Sequence, residues 1–328
     1  MIWLKRLLLL AATVFFAMTL TFLIIRLMPG DPVETMALNM VRDQGVDYKD
    51  AYMRAKDMLN YDPQIPLYVQ YGRYISSLMK GSLGLSMMYR KSVIQIITGA
   101  LPWTLLILTI SLFISFLLGI LIGMYIAWKR KTILDPVLSM YASIMGSVPE
   151  YVIAFILVII FTMNLRWFPS RGAYSSSVVP GMNLPYILSV LYHAVLPISA
   201  YIIAGLGGWA LNMKGNAINV LGEDYITAAR ARGLGQKRIV TWYVGRNALL
   251  PLVTNLAISF GMVFGGSPLI EYLFVYPGVG YFLNQAIANR DYLLMQGMFL
   301  MITVTVVIAN LIAEILYSVL DPRIRVEG

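Results

Sequence analysis

The chain of 328 residues contains no cysteine and only one histidine, His193. Without cysteine it forms no disulfide and offers no thiolate as nucleophile or ligand. Zinc and copper are bound mainly by histidine and cysteine, so a single histidine argues against such a site within this chain. We therefore predict no metal site and no thiol chemistry.

Charged residues are also scarce, at 12% of the chain, whereas a soluble domain has about 25%. Hydrophobic residues make up 59%, and the mean hydropathy is +0.73. This composition predicts a polytopic membrane protein in contact with the lipid bilayer. The net charge is +9, and in a membrane protein such an excess of cations usually belongs to cytoplasmic loops. We therefore predict no nucleic-acid partner.

Motifs of ATP binding and of catalysis are missing as well. No GxxxxGK[ST] loop is present, so the chain does not bind ATP in that way. The glycines of GLGG, at 205–208, lie inside an apolar run and fit helix packing better than a dinucleotide site. An intramembrane serine protease needs a serine and a histidine that face each other within the spans, and His193 has no such partner in the sequence pattern. We predict no catalytic residues and no enzyme activity.

The sequence does contain six long apolar runs, each close to the length that a helix needs to cross a bilayer. The first is too long for a signal-peptide core and lacks a small-residue cleavage site, so we expect a retained span. The fifth holds Pro251, Gly261, Gly265 and Gly266, which predicts a bent or broken helix whose freed backbone groups are satisfied by neighbouring helices or a cavity. The expected fold is all-α with six transmembrane helices, at 7–28, 101–127, 136–163, 186–211, 248–264 and 293–320.

Lysine and arginine clusters predict the orientation of these spans, because cytoplasmic loops are enriched in both residues. With six spans, the main clusters all fall on one side of the membrane. They are Lys5 and Arg6, then Lys129, Arg130 and Lys131, then Lys214, Arg230, Arg232, Lys237, Arg238 and Arg246, and finally Arg323 and Arg325. Both termini are therefore predicted to be cytoplasmic.

The segment 29–99 between the first two runs is an exception, with eight cations and seven acids. It is long enough to cross the membrane regardless of charge. Leu67, Tyr71, Tyr74 and Leu78 recur at helical spacing in it, so we predict a folded extracytoplasmic cap. The expected segments are 1–28 as the first transmembrane helix, 29–99 as the cap, 100–320 as the main transmembrane domain and 321–328 as a cytoplasmic tail.

Ionisable and polar residues near membrane depth are candidates for a translocation pathway or gate. Each could instead pair with a cation or form a hydrogen bond on a neighbouring helix. The candidates are Glu150, Glu271, Tyr276 and Asn310.

A polar segment, EDYITAARARGLGQKR at 223–238, interrupts the apolar runs. Glu223 and Asp224 fit the N-cap and first turn of a helix, Arg230 its last turn, and Gly233 its stop. A helix of about nine residues is marginal alone, so another surface must hold it.

The spacing of this helix places Tyr225, Ala228, Ala229 and Arg232 on one face. A helix lying on lipid usually presents leucine, phenylalanine or tryptophan to the acyl chains. Two alanines instead allow another backbone to approach closely, so the face predicts contact with a protein.

DYITAARARGL, followed by RNALLPLV, resembles the cytoplasmic coupling motif of type I ABC-importer permeases. Thr227, Ala228 and Ala229 stand where that motif has Glu-Ala-Ala, and Gly233 matches its glycine. In lacking the glutamate of the general motif, this sequence is similar to the dipeptide/oligopeptide subfamily. The resemblance leaves the role of that glutamate to Asp224. Further matches to that subfamily cover almost the whole chain: RLMPGDP, PLYVQYGRYISSLMKGSLGLS, LPWTLLI, SVPEYV, HAVLP, EYLFVYPGVG, NRDY and LDPRIR.

The resemblance implies a type I ABC importer fold in a prokaryotic inner or plasma membrane. It implies a permease subunit that pairs with a homologous second permease subunit, two cytoplasmic ATPases that bind ATP and magnesium, and an extracytoplasmic substrate-binding protein. This subunit itself then needs no cofactor. The coupling helix, within 223–233, would meet an ATPase through Asp224, Tyr225, Thr227, Ala228, Ala229, Arg230, Arg232, Gly233 and the adjoining Leu234.

Peptides are the leading substrate class that the resemblance implies. Nickel or metal chelates, haem and oligosaccharides are alternatives within the same family. An energy-independent channel or a secondary transporter is the rival class, and it is disfavoured because secondary transporters often contain internal repeats, which this sequence lacks.

Overall fold

The computed structural model describes residues 2–27, 31–59, 65–129, 132–263 and 267–320. These residues form helices joined by loops and contain no β-strand, only an isolated antiparallel bridge between Leu85 and Ser92. The predicted all-α class is therefore confirmed.

The helices of the described chain are numbered in order. They are α1 (Ile2–Leu27), α2 (Pro32–Gln44), α3 (Tyr48–Leu59), α4 (Leu67–Met79), α5 (Val93–Trp128), α6 (Leu134–Ser147), α7 (Glu150–Leu157), the π-helical segment π1 (Val158–Asn164), α8 (Leu184–Leu221), α9 (Asp224–Ala231), α10 (Gln236–Arg238), the π-helical segment π2 (Ile239–Gly245), α11 (Arg246–Met262), α12 (Pro268–Leu273), α13 (Val279–Ala288) and α14 (Tyr292–Leu320).

The chain divides by its contacts into two compact units. The first holds the described residues of 1–103 and 277–307, and the second those of 104–276 and 308–320. The segments predicted above at 1–28, 29–99, 100–320 and 321–328 divide the chain by membrane topology instead, and those boundaries stay a prediction.

In the first unit, α2 and α3 form a helical pair with its own small core. Asp31 caps α2, and its side chain accepts a hydrogen bond from the Val33 backbone N–H at 2.8 Å. Val33 and Ala37 on α2 pack with Ala51 and Ala55 on α3, and all four are fully buried. The region after α1 is therefore folded where the structure describes it.

The predicted helix after this pair is confirmed as α4, which contacts α1. Phe22 of α1 is 1% exposed, and its ring lies 5.3 Å from that of Tyr71 and 5.5 Å from that of Tyr74. Burial is the main cause that raises the pKa of Tyr74 to about 12. The aromatic run recognised in the sequence thus attaches α4 to α1.

The second unit is organised around α8, a helix of 38 residues that contacts α6, α7 and α11. Glycines allow its close packing. A Cβ atom on Gly207 would lie 2.7 Å from the Ala142 Cα of α6, and one on Gly123 of α5 would lie 2.3 Å from the Ala210 carbonyl oxygen. Within GLGG, Gly207 therefore serves helix packing, as predicted.

Three of the described helices are long and apolar enough to cross a membrane: α5, α8 and α14 over Tyr292–Ile312. A fourth candidate is α6 taken together with the helical stretch Glu150–Asn164, although the two are bent by 100°. The sequence predicted one span at 136–163, and this run contains a bend that the sequence analysis did not identify. Pro149 has no N–H to donate to the preceding turn and disfavours helix at the residue before it, so the chain restarts at Glu150.

The fifth run was predicted to be a bent or broken helix. In the structure, α11 runs through Pro251 and reaches Met262 as one helix. Gly261 permits close contact, because a Cβ atom there would lie 2.5 Å from the Ala309 Cβ of α14. Gly265 and Gly266, which also supported that prediction, lie outside the described residues.

Candidate functional site

The predicted coupling helix is present as α9, with both ends where the sequence places them. Glu223 is the N-cap, with φ −74° and ψ 146°, although its side chain makes no capping hydrogen bond. At the other end Gly233 has φ +74° and donates its N–H to the Arg230 carbonyl at 2.9 Å, while Leu234 donates to the Ala229 carbonyl at 3.3 Å. This pair of bonds is the Schellman motif, which glycine permits.

One face of α9 packs into the second unit. Ile226 is fully buried and Ala229 is 3% exposed. Both belong to a hydrophobic cluster with Met213 of α8, Val244 of π2 and Leu252 of α11. The cluster also includes Phe116 and Ala127 of α5. The helix that was predicted to be marginal alone is therefore held by other elements of the same chain.

This packing corrects one sequence prediction. Ala229 was placed on the outer face with Tyr225, Ala228 and Arg232, but its side chain points into the cluster. The spacing of four residues was compatible with either face. Ile226, three residues earlier, provides the larger apolar surface and so determines which side is buried.

The opposite face of α9 is exposed and polar. Tyr225 is 41% exposed, and partial burial, together with the nearby Glu223 carboxylate, raises the pKa of its hydroxyl. The phenol therefore stays protonated at neutral pH and can donate a hydrogen bond. The other exposed members of the predicted set are Asp224, Thr227, Ala228, Arg230, Arg232 and Gly233, whereas Leu234 is half-buried.

A basic groove follows α9 along the chain. Lys237, Arg238 and Arg246 line it together with Trp242, whose side chain is 70% exposed. The sequence analysis recorded the cations but missed the exposed indole. The segment π2, which carries Trp242, contacts α9.

A second candidate site is a cavity of about 360 Å³ in the second unit. Glu150, the first residue of α7 after the bend, lines it, and so do Tyr201 and Trp209 of α8. The remaining polar lining consists of hydroxyl groups, from Ser111, Ser115, Ser259 and Ser267.

Glu271 and Tyr276, also predicted as pathway or gate residues, lie inside the same unit. Glu271 is 1% exposed, and the Thr104 hydroxyl donates a hydrogen bond to its Oε1 at 2.8 Å. Tyr276 is fully buried, and its backbone N–H donates to the Glu271 carbonyl at 2.8 Å. Asn310, by contrast, is exposed on α14.

The structure thus brings Glu150 together with residues that the sequence analysis did not select. A signal for two of them was present, because Ser111 and Ser115 are four residues apart in an apolar run and so share one helix face. Tyr201, Ser259 and Ser267 gave no such signal, since they come from other elements and meet only in the folded chain.

Comparison with known proteins decides the family. Residues 119–326 match the family described as "Binding-protein-dependent transport system inner membrane component". The chain belongs to this family. It is therefore an inner-membrane permease component of a transport system and not an enzyme, and membership implies a substrate-binding protein and an ATPase as partners.

Similar curated proteins cover nearly the full length of the permease. It is 30% identical over 308 residues to the oligopeptide transport system permease protein AppB of Bacillus subtilis, covering 93% of each chain. It is 33% identical over 335 residues to the di/tripeptide transport system permease protein DppB of Pseudomonas aeruginosa, covering 98% of the permease and 97% of DppB. The oligopeptide transport system permease protein OppB of Haemophilus influenzae is 31% identical over 322 residues, and 98% of each chain is covered. The resemblance to peptide-type ABC permeases is confirmed.

Proposed function

We propose that the permease forms half of the translocation pathway of an ATP-driven importer for short peptides, which an extracytoplasmic binding protein delivers. Support for peptides comes from the similar proteins, which are named for oligopeptide or di/tripeptide transport and are matched over at least 93% of this chain. Nickel or metal chelates, haem and oligosaccharides remain the alternative cargoes, and no observation favours them.

The observation that supports the coupling role is that α9 has one buried face and one exposed face. Its inner face, Ile226 and Ala229, is buried in a cluster that also contains residues of α8, π2 and α11. Its outer face is exposed around Tyr225 and Ala228. A force applied to the outer face by an ATPase would therefore move α8 and α11, because packed side chains transmit displacement.

In this proposed contact the ATPase would approach α9 most closely at Ala228. The side chains on either side of it, Tyr225 and Arg232, are of types that often anchor protein interfaces. Thr227 is exposed where the general motif has glutamate, and Asp224 provides a carboxylate on the outer surface. We assign to Asp224 the role that the general motif gives to that glutamate.

The remaining assembly follows from the same proposal. The chain would contribute six spans, with α6, α7 and π1 together as the bent third, and with both termini in the cytoplasm. A homologous second permease subunit would complete the pathway, and two ATPases would bind on the cytoplasmic side. On this arrangement Lys237 and Arg238 of α10 and Arg246 of α11 face the cytoplasm, as the enrichment of cations in cytoplasmic loops favours.

Of the four predicted pathway residues, Glu150 has the geometry that fits the role best, because it lines a cavity. Glu271 and Tyr276 are buried and would support the wall of the pathway rather than contact cargo. Asn310 is exposed on α14 and would contact the second permease subunit or the cargo.

The function is tested in proteoliposomes that contain the complete complex, with its binding protein outside and ATP inside. We expect uptake of labelled dipeptides and tripeptides that depends on ATP and on the binding protein. Uptake without ATP would contradict an ABC importer. If the complex instead took up a nickel chelate, haem or an oligosaccharide in an ATP-dependent way and took up no peptides, the result would support an ABC importer. It would contradict peptides as the cargo.

A further inference from the structure

The cavity beside Glu150 has an unusual balance of hydrogen-bonding groups. Among the residues that line it, Glu150 is the one with a formal charge, and that charge is negative. The charge of this lining is therefore opposite in sign to the net charge of the whole chain, which is +9. A carboxylate on the wall favours cations within a low-dielectric site.

The serine hydroxyls of the cavity add acceptors rather than donors. Ser111 donates its hydroxyl hydrogen to the Ile107 carbonyl at 2.7 Å, and Ser115 donates to the Leu112 carbonyl at 3.1 Å. A hydroxyl has one hydrogen and two lone pairs. The Ser111 hydroxyl also lies 3.4 Å from the Ile198 carbonyl oxygen of α8. With their hydrogens directed to backbone carbonyls, both serines have lone pairs left for a ligand that donates hydrogen bonds.

Tyr201 provides a second and independent sign of a ligand. Its hydroxyl oxygen is buried and makes no hydrogen bond of normal geometry to the described residues, although Ser267 lies nearby. A buried hydroxyl without a partner costs free energy unless a ligand or water satisfies it. Both Glu150 and Glu271 lie near enough to interact electrostatically with this hydroxyl, so a cation placed beside it would experience two carboxylates.

We propose that this cavity is a cation-selective binding site in the pathway, and that it binds the primary ammonium group of a translocating peptide. An ammonium group has three donors and no acceptor, which complements a carboxylate and hydroxyl lone pairs. The volume of about 360 Å³ is at the small end of the range for ligand sites, so the cavity holds the amino end of a peptide rather than its whole length. This inference rests on the proposed peptide import.

The absence of cysteine from the chain permits a direct electrostatic test. Ser259→Cys places a single thiol of this subunit on the cavity wall of the assembled complex, whose other subunits are made cysteine-free. The thiol is then labelled with either of two methanethiosulfonate reagents, one carrying a primary ammonium and one carrying a sulfonate. Labelling rates are measured by mass spectrometry in the nucleotide-free and ATP-bound states.

We expect the ammonium reagent to react faster than the sulfonate reagent, after correction for their rates with a free thiol. Adding Glu150→Gln should slow the ammonium reagent by roughly 3-fold to 50-fold, if the separation is taken as about 7 Å and the effective dielectric constant as between about 80 and 20. Glu150→Asp should retain most of the preference. Glu34→Gln, which removes an exposed carboxylate from α2, should leave it unchanged.

Three results would overturn the proposal. The first is an equal preference for the ammonium reagent over the sulfonate reagent with and without Glu150. The second is faster labelling by the sulfonate reagent, and the third is no labelling by either reagent in any nucleotide state. If Ser259→Cys prevents assembly, Ser267→Cys reports on the same cavity. Peptide uptake by the unmodified complex is measured in parallel. Uptake together with any of those three results rejects the cation site alone, whereas absence of ATP-dependent uptake rejects the proposed function.

Discussion

The Ser86 hydroxyl donates a hydrogen bond of 2.5 Å to the carboxylate of Asp291, a residue 205 positions later in the chain. Both side chains are fully buried. The same carboxylate accepts hydrogen bonds from the backbone N–H groups of Met88 and Leu294, each at 3.1 Å. Asp291 immediately precedes α14, so this one side chain caps that helix and fastens the loop after α4 to it.

Removing the Ser86 hydroxyl should lower the stability of the first unit. Ser86→Ala deletes the hydrogen bond to the buried Asp291 carboxylate and the bond that the hydroxyl accepts from the Tyr89 N–H at 3.1 Å. The loss of the bond to the carboxylate alone should cost about 1.5–3 kcal/mol. Asp291 keeps its two backbone donors, so the fold should survive. Thermal unfolding in detergent measures the change, and Ser76→Ala, at an exposed position on α4, is the matched control. Equal midpoints for the two variants would contradict the role of this bond.

The contact between α5 and α8 should be sensitive to a single methyl group. In Gly123→Ala the new Cβ atom would lie 2.3 Å from the Ala210 carbonyl oxygen and 2.8 Å from the Met213 Cβ. The helices would have to separate, at a cost of about 1–3 kcal/mol. Gly208→Ala meets nothing within 4 Å and should gain up to about 1 kcal/mol from helix propensity. Opposite signs of the two stability changes are expected, and a stable Gly123→Ala would contradict the close packing.

Neighbouring alanines on α9 should respond differently to the same substitution. Ala228→Asp introduces a charge on the exposed face, so the protein should fold normally but fail to retain the ATPase on purification. Ala229→Asp introduces a charge into the cluster around Ile226, so it should destabilise the permease itself. Ala288→Asp, at an exposed site on α13, is the charge-matched control. Normal ATPase retention by Ala228→Asp would remove the proposed contact from this face.

The end of α9 should tolerate substitutions at Gly233 in a fixed order. Its φ of +74° is strained for residues with a side chain, although nothing lies within 4 Å of a new Cβ atom. Gly233→Asn should be mildest, because asparagine adopts this conformation most readily among the others. Gly233→Ala should cost about 1–2 kcal/mol. Gly233→Pro should abolish transport, since it also removes the N–H that donates to Arg230. Rates of peptide uptake, measured at equal protein level, test this order of severity. Transport by Gly233→Pro would contradict it.

The proposed topology is tested with two cysteines in the same cysteine-free chain. Gln236→Cys, on α10, should resist an impermeant thiol reagent added to intact cells and react in inverted vesicles. Met182→Cys should behave oppositely, because Met182 is 99% exposed in the loop before α8, which the six-span arrangement places outside. Outside labelling of Gln236→Cys would require a different number of spans.

Sequence alone determined the local features of this permease. The all-helical class, the helix at Leu67–Met79 and both ends of α9 were predicted correctly, because helix periodicity, capping and the glycine stop depend on residues within a few positions of one another. The coupling motif and the apolar runs identified the family for the same reason, since they are contiguous stretches that can be read without a fold.

Only the tertiary structure decided which surfaces face inward and which residues meet. It placed Ala229 inside a cluster, bent the third run by 100° at Pro149 and assembled Glu150, Tyr201 and Ser259 around one cavity. It also joined Ser86 to Asp291. Burial and partnership at these positions depend on side chains that are tens to hundreds of residues apart, and competing faces of a short helix differ by only a few apolar atoms. Such choices are made by the packing of the whole chain, and local signals such as Pro149 and Ile226 do not decide them until that packing is known.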